Sequence, residues 1–255
     1  MATSTSMPAP EAQSRPAISP VGRILGVFFS PKATFEDIAR SPSWVAPMMV
    51  LLVISIGLSV ALARRADWVE VSKEQIAKSK FASRQIDSLS EDQKAAEYEK
   101  AAARGKMIRY VRGFVGWPLL LLISSGLYLG VFKLIGGART NFATAFAVTA
   151  FAHLPVGLRE LIAIPVLFLK DPASIDPENF LASNPAAIFG SDLPTWQLVP
   201  LGALDVFGLW ALALLAVGFS ATDPKKLPLA KSFGIVTGVF CTIILFFTML
   251  AWVFS

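Results

Sequence analysis

The sequence predicts an all-α, polytopic membrane protein with about five transmembrane helices. Hydrophobic residues make up 54% of the 255 residues and charged residues only 16%, and the mean hydropathy is +0.59, which points away from a soluble domain. The apolar residues are also gathered into runs. Ala46–Ala63, Gly113–Phe132 and Ser232–Ser255 contain no charge, and Leu193–Ser220 contains only Asp205. Runs of about 18 or more such residues can cross a hydrocarbon core roughly 30 Å thick.

Residues 1–20, MATSTSMPAPEAQSRPAISP, are rich in Ala, Ser, Thr and Pro and have no basic stretch leading into an apolar one. They read as a disordered tail rather than a cleaved signal peptide. Residues 21–255 read as one membrane domain. Its first segment, VGRILGVFFSPKATFEDIARSPSW, carries a helix start: Ser30 can cap, Pro31 suits the first turn, Glu36 and Asp37 follow, and Pro42 helps to end it. Val27, Phe28, Phe29, Phe35 and Ile38 interleave with Arg23, Lys32 and Arg40. That pattern fits an amphipathic element lying in the membrane interface and equally a short helix packed on the bundle.

The first span, 46–63, ends at Arg64 and Arg65. A polar loop, 64–112, follows with twelve Lys/Arg and eight Asp/Glu. Within it SEDQKAAEYEKAAARG reads as a helix, with a capping box at Ser90 and Gln93, acids early, bases late and Gly105 as its stop. Such mixed-charge runs are solvated helical faces. The second span, 113–132, holds Gly126 and Gly130, and the last, 232–254, holds Gly234 and Gly238. Small residues four apart let helices approach closely in lipid, which nominates these four glycines as packing positions.

The third apolar region, 142–169, is 28 residues, about 42 Å as a straight helix, and holds the only histidine, His153, with Pro155 and the adjacent Arg159 and Glu160. A break near Pro155 is predicted, because proline removes a backbone hydrogen bond. The region then reads as a span over 142–158 with a broken continuation to 169, leaving Arg159 and Glu160 near one edge of the apolar slab. The fourth span, 198–220, contains Asp205. Five spans put the termini on opposite sides. Counting Lys and Arg on the two sides does not decide the orientation.

Asp205 in an apolar run requires a partner, neutralisation or water, and Arg159, Arg112 and His153 are the candidates. Together His153, Arg159, Glu160 and Asp205 form a candidate intramembrane polar cluster: a structural lock between helices, or a pathway for protons, ions or a polar solute. His153 is read first as bonding a carbonyl freed by the proline. One histidine and one cysteine, Cys241, are too few for a His- or Cys-based metal centre, and no cofactor is implied. Neither a paired-histidine zinc motif nor a G-x-S-x-G elbow is present, so the sequence points away from an enzyme. Nothing in it points to nucleic acid.

The segments FFSPKATFEDIARSPSWVAPMMVLL, KLIGGARTNFATAFAVTAFAHLPVGLRELI and LGALDVFGLWALALLAVGFSA resemble the bacterial branch of the Yip-one family of multi-span membrane proteins. Pro31 and Phe35, the Gly136–Gly137 turn, the His153–Pro155 step and Trp210 with Gly218 after it carry the resemblance. It implies five spans, a bacterial inner-membrane location with a cytoplasmic N-terminus, and hence an extracytoplasmic basic loop after the first span. Eukaryotic members interact with Ypt/Rab GTPases; no GTPase-binding residue carries over, and the bacterial character of the sequence argues against that partner here. Two functions compete. One is a non-enzymatic membrane adaptor or membrane-organising factor whose partners are the bilayer and other membrane proteins or itself. The other is a small-solute or ion transporter or channel using the polar cluster.

Overall fold

A computed structural model describes residues 17–77, 79–189 and 193–254. They form helices and connecting loops, with no strand among them. In chain order the helices are α1 (Pro20–Phe29), α2 (Pro31–Arg40), α3 (Val45–Arg65), α4 (Trp68–Ala77), α5 (Lys80–Asp87), α6 (Glu91–Leu134), α7 (Phe142–Ala152), α8 (Leu154–Leu169), α9 (Ala186–Phe189), α10 (Thr195–Ala203), α11 (Val206–Thr222) and α12 (Leu229–Phe254). By length and composition, α3, α6, α7 with α8, and α12 can each cross a membrane. The α10–α11 pair, bent by 53°, makes up to a fifth crossing.

Residues 1–16 of the predicted tail lie outside the described residues, and α1 starts at Pro20, capped by the Ser19 side chain. The N-terminal amphipathic element is two helices. α2 packs against α11 and α7, and α1 lies against α2, so Val27, Phe35 and Ile38 are fully buried. Ser30 does not cap α2 with its side chain; it accepts a hydrogen bond from Thr34 Oγ1 on its carbonyl instead, at 2.9 Å. Arg23 and Asp37 meet in the buried seam between the two helices, Nε and Nη2 both 2.8 Å from Asp37 Oδ2. Arg23 Nη1 also donates to the Ser41 carbonyl at 2.9 Å.

The capping box at Ser90 and Gln93 is present, but the helix it starts does not stop at Gly105. α6 runs 44 residues, from the polar loop straight through the second span, because no proline or further glycine intervenes between Gly105 and Arg112 and Lys106, Met107, Arg109 and Arg112 favour helix. Gly105 serves packing instead: a Cβ there would stand 3.2 Å from the Trp68 ring of α4. The buried positions of α6 include Arg109, Gly113, Trp117, Leu121, Ser125, Tyr128 and Phe132, a spacing of three to four residues that keeps one face toward the bundle. Pro118, on the next position round, is accommodated inside the helix.

The third region is interrupted at His153, two residues before Pro155. Proline at the start of a helix loses only an N–H that has no intrahelical partner there, so Pro155 begins α8 rather than ending α7. The fourth span is broken, at Leu204–Asp205, where an unbroken helix was predicted. The core follows these elements. Leu51, Leu121, Phe132, Phe151, Leu215 and Phe219 belong to a main cluster that joins α3, α6, α7 and α11. A second cluster brings Ile175 and Phe180 of the α8–α9 connector onto Leu58, Leu62 and Leu167.

The four glycines nominated for packing are not points of close helix approach within the chain. A Cβ on Gly126, Gly130, Gly234 or Gly238 would meet nothing within 4 Å. Close approach falls instead at Gly113, where a Cβ would stand 2.6 Å from Ser59 Oγ of α3, at Gly157 against Leu51, and at Gly218, against Val148 and Phe35. The Gly136–Gly137 pair turns α6 toward α7. Gly137 holds φ +68°, a conformation glycine adopts without steric cost, while a Cβ on Gly136 would run into Leu227 and the Phe132 carbonyl. Trp210 sits at the edge of the bundle, edge-on to Phe28 of α1 at 5.5 Å.

Candidate functional site

The polar residues of the third and fourth spans meet beside the middle of α3 at Ser55, the first spanning turns of α6 and the start of α8, with Phe180 of the α8–α9 connector against them. α7 ends at Ala152 and α8 begins at Leu154, so His153 stands alone between them. Its Nδ1 lies 2.8 Å from the Thr149 carbonyl oxygen, and its own carbonyl accepts from the Val156 and Gly157 N–H groups. The ring stands edge-on to Trp117 of α6 at 5.9 Å. His153 is thus engaged in satisfying the helix joint.

The predicted cluster separates into two arrangements. In the first, Arg159 Nη1 is 3.3 Å from Asp205 Oδ2, and the Arg159 guanidinium lies over the Phe180 ring at 5.4 Å. Asp205 is 5% exposed. Its Oδ1 accepts the Gly208 N–H at 2.9 Å, capping α11, and its Oδ2 also accepts from Ser183 Oγ of the connector. The Val206 N–H donates to the Ser183 carbonyl beside it. The helix break is therefore what lets Asp205 serve: an aspartate at an N-cap takes an orphan amide, and helix N-termini favour negative charge.

In the second, Trp117 Nε1–H donates to Glu160 Oε2 at 3.2 Å. Glu160 does not share the Asp205 site, although its neighbour in the chain does, because adjacent helical residues project about 100° apart. Arg112, a candidate partner for Asp205, instead stands 3.7 Å from Glu178 with both side chains mostly exposed. A cleft of about 410 Å³ lies between these groups. Arg109 and Arg112 line it alongside Arg159 and Glu160, and Leu119, Leu120 and Ile123 of α6 form an apolar wall.

Arg109, Trp117 and Ser183 escape the sequence reading. Arg109 counts there as one more charge of a solvated loop, yet it is 8% exposed. The signal that finds it is spacing: 109, 113, 117 and 121 fall on one face of a continuous helix, which only becomes visible once Gly105 is not taken as a stop. Ser183 lies in a connector without periodicity, so nothing local marks it.

The profile of the Yip1 domain family matches residues 25–251. The membrane protein YknW of Bacillus subtilis (strain 168) is 25% identical over 199 residues, covering 78% of this chain and 78% of that protein. No solved structure matches.

Proposed function

Since the chain belongs to the Yip1 domain family, we propose that it is a non-enzymatic integral membrane adaptor or membrane-organising factor that binds other membrane proteins, or a second copy of itself, within the bilayer. The outward face of α12 carries this reading. Gly234 and Gly238 face open space and, with Leu127 and Val131 of α6, line a groove of about 690 Å³ between α6 and α12. Helix association in lipid depends on close approach at small residues rather than on hydrophobicity, and a glycine-floored groove admits a neighbouring helix. The family resemblance supports a bacterial inner-membrane location with a cytoplasmic N-terminus.

The competing pathway through His153, Arg159, Glu160 and Asp205 has less support. A relay needs groups free to exchange partners, whereas both Asp205 oxygens are engaged, Glu160 is held by Trp117 and His153 by its helix joint. The test is brief cross-linking in native membranes followed by affinity purification, comparing wild type with Gly234→Leu and Gly238→Leu. A discrete dimer or one reproducible partner, lost in the leucine variants, is the expected result. Recovery of the wild-type chain alone under several gentle extraction conditions would overturn the adaptor reading. Deleting Met1 to Arg40 is a poor control, because it strips the buried α2 from the core.

A further inference from the structure

The cleft beside α6 has a charge arrangement that the adaptor reading does not use. Three guanidinium groups and two carboxylates line it, and four of these five are accounted for. Arg159 is paired with Asp205 through Nη1, though its Nε is also buried without an acceptor, Glu160 takes the Trp117 N–H, and Arg112 stands opposite Glu178. Arg109 is the exception. It is more than nine-tenths buried and makes no hydrogen bond or ion pair among the described residues, and its Nε is buried without an acceptor. Arginine stays protonated in proteins, so it cannot shed this charge as a buried lysine or histidine can. The Glu160 and Glu178 carboxylates of the same cleft act on Arg109 through space, but neither contacts it; a buried cation without a contacting partner is costly, and a bound anion lowers that cost.

The surroundings define the kind of anion. Arg109 and Arg112 stand where the polar part of α6 gives way to its spanning part. Leu119, Leu120 and Ile123 continue the same cleft, reaching roughly 21 Å along the helix from Arg109, and all three remain substantially exposed. A cationic end thus opens onto an apolar wall running into the hydrocarbon region.

We propose that this cleft binds one singly charged phosphate group carried on an amphiphile, an anionic phospholipid with its headgroup on Arg109 and an acyl chain along Leu119, Leu120 and Ile123. A free phosphate shares the headgroup chemistry but makes no use of the apolar wall.

The experiment is native mass spectrometry of the full chain in mild detergent, titrated separately with phosphatidylglycerol, with phosphatidylcholine of the same acyl chains, and with inorganic phosphate. Wild type is expected to retain phosphatidylglycerol over phosphatidylcholine by about tenfold, the worth of one charge-assisted hydrogen bond set, and inorganic phosphate is expected not to displace it. Arg109→Gln is expected to abolish the preference. Arg64→Gln, which removes an exposed arginine from the same end of the bundle, is expected to keep it. Arg109 holds no other residue in place, so the glutamine variant should fold, with a thermal midpoint in lipid-free detergent no lower than wild type. Arg109→Met removes the cation but keeps an unbranched apolar side chain, is likewise expected to lose the preference, and decides the matter should the glutamine variant fail to fold; Arg109→Lys retains the cation and is expected to keep most of the preference. Equal retention of the two lipids by wild type, or an unchanged preference in Arg109→Gln, overturns the site. Displacement by inorganic phosphate at concentrations comparable to the lipid overturns the amphiphile and leaves a soluble anion as the ligand.

Discussion

Arg159 and Asp205 join three separate stretches of chain at one carboxylate: Arg159 Nη1 of α8 at 3.3 Å, the first turn of α11 through Gly208 N–H, and the connector through Ser183 Oγ. This arrangement separates the cap from the charge. Asp205→Asn keeps a good N-cap but leaves Arg159 without its counter-ion, and it is expected to lower stability by about 1–2 kcal/mol, below the full cost of breaking a buried pair because the Arg159 side chain retains some access to water. Asp205→Ala loses the cap as well and should cost about 2–4 kcal/mol. Adding Arg159→Met to Asp205→Asn should recover part of the loss. Unfolding in mild detergent, followed by tryptophan fluorescence, reads all three. A fully stable Asp205→Asn protein that has lost a solute flux in proteoliposomes would instead favour the pathway.

The Arg23–Asp37 pair is the driest ion pair among the described residues, its side chains 6% and 4% exposed. Removing Asp37 strands the buried Arg23, so Asp37→Leu is expected to destabilise by about 3–5 kcal/mol; Arg23→Met leaves Asp37 paired with the mostly exposed Arg40 at 3.2 Å and should cost less, and the double variant should cost less than Asp37→Leu alone. Thermal unfolding of the four proteins in the double-mutant cycle measures this. An additive double variant would mean that the two residues contribute independently.

Phe35 and Gly218 explain why α2 docks rather than lying in the interface. A Cβ on Gly218 would stand 3.0 Å from the Phe35 ring and closer still to Val148. Gly218→Ala therefore overfills the seam between α2, α7 and α11 and should cost about 1–3 kcal/mol, with Val148→Ala in the same chain restoring part of it. Trypsin cleavage at Lys32 and Arg40 reports the undocking of α2. Unchanged cleavage in Gly218→Ala would show that the seam has slack.

The helical class and the number of apolar segments are legible because hydropathy and length act locally along the chain. The Ser90–Gln93 cap is legible for the same reason. The Arg159–Asp205 contact follows from a cost rather than a pattern, since a lone carboxylate in an apolar run must find a cation and Arg159 is one of few. The rest depends on non-local geometry. An amphipathic stripe reads alike whether lipid headgroups or helices α7 and α11 cover it, so the docking of Phe35 is invisible in the segment itself. Gly105 looks like a stop until Trp68 is seen against it, and this conceals Arg109. Ile175, Phe180 and Ser183 lie in an aperiodic connector whose fold is set by what it covers.

The glycines of the spans sort into two classes that mutation can separate. Gly113 and Gly157 sit where another side chain already occupies the space a Cβ needs, so alanine at either should destabilise the isolated chain by about 1–3 kcal/mol. Gly126, Gly130, Gly234 and Gly238 have open space there, and helix interiors favour alanine over glycine by roughly 0.5–1 kcal/mol. Alanine at these four should leave the detergent-solubilised monomer as stable as wild type or slightly more so. Bulkier leucine should be equally harmless to the monomer while weakening association in the bilayer, which fluorescence energy transfer between labelled chains in proteoliposomes can follow as the lipid-to-protein ratio is raised. Loss of monomer stability at Gly234 or Gly238 would show an intrachain role for that face. Full stability with unchanged energy transfer would remove self-association through this face and leave a different membrane protein as the occupant of the groove.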